Sequence, residues 1–253
     1  MVTALGYGTT GLSVGQRVFG LTDWTRDGTL AEYVAVEARN LAPLPGDVDF
    51  TVGASLVMPG LTAWQGLFQH GRLQVGQSVL VHDAAGVVGS MVTQLARAAG
   101  AYVIGAGRAA SRQKALDFGA QEVVDLDNDA LEDVSGVDLV FDISGRDIAK
   151  RSALVIRAGG PLVTIAGPTE ARPANGLTID FVVESDRAQL NEIVPRPLDD
   201  LVQLAAVGLD NEIDRQAAGR PCFGRARDGH QRSSRSNHKR RALRDVAAEY
   251  IEH

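Results

Sequence analysis

The run Ser78-Val-Leu-Val-His-Asp-Ala-Ala-Gly-Val-Val-Gly89 constrains the fold of this chain more than any other stretch. Val79, Leu80 and Val81 form the short continuous apolar run expected of a strand covered on both faces. Ala84-x-Gly86-x-x-Gly89 then breaks the strand. Val88, Val92, Leu95, Ala96 and Ala99 recur at helical spacing up to Gly100, which stands where a C-terminal cap belongs. A strand, a tight glycine bend and a helix N-terminus together suit an anion, because backbone N–H groups and the positive end of the helix face one point. Ala84, Ala85, Gly86, Val87, Val88 and Gly89 are therefore candidate contacts for the pyrophosphate of a dinucleotide. The alternative is an ordinary glycine turn with no ligand, and the strand and helix flanking the bend favour the phosphate site.

Strands and helices alternate beyond this motif. Tyr102–Gly105 reads as a second strand, and Ser111 as the cap of a short helix ending at Gly119. Glu122–Asp125, Val137–Asp142, Leu162–Ala166 and Leu177–Val183 read as four more strands. A helix from about Asp147 to Arg157 stops at Gly159-Gly160, and another runs through Leu190. Each parallel crossover must leave the sheet and return, so the fold class is α/β, a doubly wound parallel sheet of the Rossmann type. Ahead of it, Phe50–Met58 and Pro59–Gly71 read as two helices. Arg17–Gly20 and Thr29–Val36 read as short strands, with Pro43, Pro45 and Gly46 as punctuation. The expected organisation is a β segment over 1–49, a dinucleotide-binding domain over 50–213 and a distinct tail over 214–253.

With 253 residues, 45% of them hydrophobic, the chain can bury at least one full core. A formal net charge of −6 gives no general basis for binding nucleic acid or an anionic membrane. Neither a signal-peptide pattern nor an apolar run of spanning length is present, so a cytoplasmic location is expected. The single Cys222 excludes an internal disulfide and Cys-rich zinc sites. The five histidines lack metal-ligand spacing, so no metal is expected. The tail carries Arg220, Arg225, Arg227, Arg232, Arg235, Lys239, Arg240, Arg241 and Arg244 against only Asp228. Clustered cations can bind phosphates by counterion release, but no aromatic stacking residues are interleaved, so a solvated or non-native disordered tail is the preferred reading.

Cofactor choice turns on the end of the second strand, where NAD enzymes carry a carboxylate and NADP enzymes carry cations. Here Gly105-Ala-Gly-Arg108 is followed by Arg112 and Lys114, with no acid before Asp117. That pattern favours NADP(H), with Gly105 and Arg108 as candidate contacts; Arg112 is read as part of a solvated helix face. His82 reads as a core or strand-edge histidine, since no carboxylate is evident to orient it. No catalytic triad, P-loop or carboxylate pair is apparent.

The segments Gly15-Gln-Arg-Val-Phe-Gly20, Gly28-Thr-Leu-Ala-Glu-Tyr33, Gly60-Leu-Thr-Ala-Trp64, Ala84-Ala-Gly-Val-Val-Gly89, Val137-Asp-Leu-Val-Phe-Asp142 and Gly159-Gly-Pro-Leu-Val163 occur in an order that resembles one family. It is the zinc-independent, quinone-oxidoreductase-like branch of the medium-chain dehydrogenase/reductase superfamily. The resemblance implies a GroES-like β domain, present in part, beside a Rossmann domain. It also implies NADPH-dependent reduction of a quinone or an α,β-unsaturated carbonyl compound. Thr62 matches a family position near the cofactor, and the loops with Ser144, Gly145, Ala166 and Gly167 are placed by the resemblance near the nicotinamide and ribose.

Two departures bear on the site. The family has Gly-Gly-Val-Gly where this chain has Gly86-Val87-Val88-Gly89, and Gly where it has Asp83. A β-branched side chain crowds a pyrophosphate, and a carboxylate beside it repels one. The family also has β strands ahead of the position of Met1 and closing strands where the Arg-rich tail stands. The sequence therefore reads as truncated, with an altered frame after about Asp214. Hydride transfer needs mainly positioning, which suits a site without metal, and no catalytic residue is assigned. Relatives pair through the edge of the Rossmann sheet, so the sixth strand, Leu177–Val183, is a candidate homodimer surface, the alternative being an aggregation-prone uncovered edge, and a small carbonyl or quinone is the other expected partner.

Overall fold

The computed structural model describes residues 1–193; the Arg-rich run and the rest of the 214–253 segment lie outside the described residues. Six strands form one parallel sheet: β3 (Ser78–His82), β4 (Tyr102–Gly107), β5 (Glu122–Asp125), β6 (Leu139–Asp142), β7 (Leu162–Thr164) and β8 (Thr178–Asp180), in the order β5-β4-β3-β6-β7-β8. The strand order reverses at β3. The first crossovers leave it towards β4 and β5, and the chain then returns to β6 on its other side. In an open α/β sheet a ligand crevice lies at such a switch point, outside the carboxyl ends of the strands.

Alternate residues of each strand feed two cores. Val79, Val81, Val103, Phe141 and Val163 pack against α1 (Phe50–Trp64), α2 (Val87–Ala98) and α5 (Arg187–Ile193). Leu80, Ile104, Val140 and Leu162 pack on the opposite face against Ala149, Ala153 and Val155 of α4 (Arg146–Val155). Both faces being covered explains why these strands read as continuous apolar runs. Leu80 and Val81 have no exposed surface, and burying each stabilises the fold by about 1.5–3 kcal/mol.

Helix ends follow the glycine pattern. α2 stops at Gly100, φ +80°, with Ala101 N–H returning to the Ala96 carbonyl and Gly100 N–H to that of Arg97. The same motif closes α3 (Arg112–Asp117) at Gly119. Ser111 does precede α3, but it ends a 3-10 turn, Ala109–Ser111, and its helical backbone leaves its hydroxyl without a capping bond.

Ahead of the sheet the structure differs from the sequence reading in three places. Thr29–Val36 is not a strand: Leu30 and Tyr33 are largely exposed, and no described segment pairs with it. β1 (Val18–Gly20) pairs instead with β2 (Leu41–Pro43), where Pro43 ends an edge strand and so needs no ladder donor. The two expected helices are one, since α1 runs through Pro59 into a wide turn over Gln65–His70. Pro59 and Ser55, one turn earlier, are both half-buried, and the proline removes the N–H that would meet the Ser55 carbonyl. Asp49 caps α1 by accepting from Thr51 N–H at 2.7 Å. Among the described residues, no helix is long and apolar enough to cross a membrane.

Candidate cofactor site

The bend after β3 begins at Asp83, whose φ of +48° is the left-handed conformation that Gly adopts freely and Asp tolerates. Its carbonyl accepts Gly86 N–H at 2.8 Å, closing a turn that delivers the chain into α2 at Val87. Gly89 is needed for packing: a Cβ built there would overlap the Asp83 carbonyl oxygen, so α2 could not lie this close to the bend. At Gly86 a Cβ would overlap the Asp83 carboxylate, which is thus folded over the bend itself. Ala84, Ala85, Gly86 and Gly89 are buried, whereas Asp83, Val87 and Val88 are half-buried. The first amides of α2 have no acceptor within the helix and point toward the carboxyl edge of the sheet.

A narrow cleft joins this bend to the end of β4, lined by Asp83, Ala84, Ala85, Gly107, Arg108 and Ser111. Arg108 is exposed and follows β4 directly, while Gly105 lies inside the strand, where its bare Cα lets Ala84 pack close. The turn carrying Arg108 is tied down by Asp125 at the end of β5. Its carboxyl is held below the usual range, first by the Asn128 side-chain amide at 2.7 Å, then by the N–H groups of Asp127 and Ala109 and the charge of Arg112. Arg112 itself donates to the Val123 carbonyl at 2.8 Å, so it braces β5.

On the other side of the switch point stand the loops after β6 and β7. Gly145 has φ +65°, and its Cβ position lies 2.9 Å from Ala166 Cβ, so these two loops touch and only glycine fits between them. Ser144 and Gly145 donate their N–H groups to Asp142 Oδ1 at 3.1 and 2.8 Å. Gly167, φ +92°, lies in the second loop. Thr62 is apart from these groups in the role it takes: it is buried in α1, and its hydroxyl donates to the Met58 carbonyl at 2.7 Å.

His82 corrects the sequence reading in one respect. It is fully buried, as expected of a core histidine, but a carboxylate does orient it: Nδ1 donates to Asp142 Oδ1 at 2.8 Å, and Nε2 meets Ser152 Oγ at 2.7 Å. The trio has the chemical order of a hydrolytic triad, yet none of its members has exposed surface, so no substrate reaches it. Burial alone would raise the Asp142 carboxyl; His82, Gly145 N–H and the Thr164 hydroxyl outweigh it and hold the group below its ordinary value of 3.8. Asp125, Asp142, Ser152 and Thr164 were not singled out from sequence. The one available signal was that Asp142 ends an apolar strand run at the edge where ligands bind.

Among the described residues no group of three or more His, Cys, Asp and Glu side chains is placed to hold a metal ion. A six-stranded parallel sheet with a glycine bend at its switch point defines the Rossmann class of dinucleotide-binding folds. Comparison with known proteins agrees. Residues 87–190 match the family model described as zinc-binding dehydrogenase. The quinone oxidoreductase of Lama guanicoe is 30% identical over 188 residues, 70% of this chain and 56% of that protein. The NADPH-dependent alkenal/one oxidoreductase of Arabidopsis thaliana is 35% identical over 147 residues, 55% of this chain and 36% of that one. Among solved structures, Escherichia coli quinone oxidoreductase complexed with NADPH superposes with a TM-score of 0.65 at 23% identity, over 83% of this chain and 76% of that one. These likenesses support the resemblance to quinone-oxidoreductase-like proteins of the medium-chain dehydrogenase/reductase superfamily. The chain spans about half the length of the curated quinone oxidoreductases it matches.

Proposed function

We propose that this chain binds NADPH across the switch point of its sheet and that the protein it represents transfers hydride to a quinone or an α,β-unsaturated carbonyl compound without zinc. The observation that carries the reading is the placement of the glycine bend, with the helix behind it, between the Arg108 turn and the Ser144–Gly145 loop. The amides of Val87 and Val88 would hold the pyrophosphate, and Arg108 would meet the 2′-phosphate that distinguishes NADP from NAD. Ser144, Gly145, Ala166 and Gly167 would border the nicotinamide and its ribose, while Gly89 and Gly105 act by close packing. The cofactor supplies the hydride; the protein's part is binding, orientation and exclusion of water. The similarity to quinone and alkenal/one oxidoreductases supports this acceptor class.

The Asp83 carboxylate over the bend favours a second reading, a protein that holds the cofactor weakly and does not place it for turnover. Titration with NADPH by fluorescence, followed by addition of a quinone, separates the two. Binding with oxidation of NADPH supports the enzyme, binding alone supports the second reading, and no binding by either NADPH or NADH overturns both. Among the described residues β8 pairs with β7 alone, and its other edge is the surface through which a homodimer would form, which sedimentation tests.

A further inference from the structure

We infer that His82, Asp142, Ser152 and Thr164 form a buried clamp of positioning residues that fixes the backbone of the two loops on the nicotinamide side of the cleft. The role assigned to those loops rests on the NADPH reading above. His82, Asp142 and Thr164 end three adjacent strands, β3, β6 and β7, and all face the layer that contains α4. None of the four side chains has exposed surface. A polar group so placed is costly unless paired, and each is paired with another member of the set.

The pairing does not stay within the core. Asp142 Oδ1 takes the Ser144 and Gly145 amides along with His82 Nδ1–H, and Oδ2 takes the Thr164 hydroxyl at 2.8 Å. Thr164 Oγ1 in turn accepts Ala166 N–H at 3.1 Å. Both loops therefore hang from one carboxylate, directly or through one hydroxyl. The first loop needs that restraint, because Gly145 and Arg146 are both left-handed, φ +65° and +55°, and such a conformation in a non-glycine residue persists only where its surroundings hold it. Ser152 closes the far end by meeting His82 Nε2, which keeps the imidazole turned toward Asp142. The clamp cannot touch a ligand, so its effect on binding is exerted through the loop amides.

The test is Thr164→Val, which keeps the side-chain shape and deletes both of its links, with Thr164→Ser as the conservative rescue. Amide hydrogen exchange in the unliganded protein should quicken by about tenfold at Ala166, Ser144 and Gly145 but not in β4, and Ser should restore it. Affinity for NADPH should fall by about tenfold, while affinity for adenosine 2′,5′-bisphosphate, which lacks the nicotinamide half, should not change. If Thr164→Val is too unstable to purify, Ser152→Ala should give the same pattern at about threefold. Unchanged exchange at the three amides, or equal weakening of both ligands, would overturn the clamp. Should the unmodified protein bind neither ligand, the proposed function falls and the exchange pattern alone decides the inference.

Discussion

Asp83 and Asp142 stand at the carboxyl ends of neighbouring strands, on either side of the crevice, and do opposite things. Asp142 is wholly buried and satisfied by His82, Thr164 and two loop amides, so its charge is spent holding backbone. Asp83 is half-buried, left-handed and folded over Gly86, so under the proposed function its charge would face the pyrophosphate. The contrast teaches that depth of burial and position on the strand end, rather than residue type, decide whether a carboxylate braces backbone or faces the crevice.

The largest expected effect separates the two directly. Asp142→Ala should cost about 3–5 kcal/mol of stability, because it leaves four donors without their buried acceptor, whereas Asp83→Asn, which tolerates the same left-handed backbone, should cost clearly less. Urea denaturation checks both, and similar losses would erase the distinction. The sign of the pH dependence follows from the lowered Asp142 carboxyl. Its contribution is fully present above the ordinary value of 3.8 and is lost as the pH falls through the lowered one. Acid unfolding of Asp142→Ala should accordingly be less steep below pH 3.8 than that of the unmodified protein.

Gly89→Ala tests the geometry of the bend rather than its charge. The added methyl overlaps the Asp83 carbonyl oxygen, so α2 must move, at about 2–3 kcal/mol by the same denaturation measurement. Next in size is Arg108→Ala, which should weaken NADPH by about five- to tenfold in calorimetry and leave NADH unchanged. A parallel loss for NADH would remove Arg108 from the 2′-phosphate. The smallest change expected is a gain: Asp83→Asn should tighten NADPH by about threefold to fivefold, since a charge near a helix N-terminus is worth about 0.3–1 kcal/mol. No gain would mean that Asp83 does not obstruct the anion.

Much of the fold was legible because its signals are local. Val79–Val81, Gly100 and Gly119 mark a strand and two helix ends through periodicity and left-handed glycine, and the structure places each where that pattern puts it. Pro59 and Thr29–Val36 misled for a related reason: local propensity gave a helix break and a strand, whereas a helix packed into the core carries the proline through and a pleated segment needs a pairing partner. The glycine bend and Arg108 were equally readable as candidates, each lying within a few residues of a strand end.

The clamp was not readable in that way. His82 lies 60 residues from Asp142 and 70 from Ser152, and Asp142 lies 22 from Thr164. The order of strands and helices from β3 onward, the glycine caps and the tight bend after β3 were determined by sequence alone, because they depend on side-chain periods and backbone freedom along one stretch of chain. Which carboxylate would brace the loops and which would lie over the bend was decided only by tertiary structure, because parallel register sets who meets whom across crossovers, and that register is a property of the packed sheet.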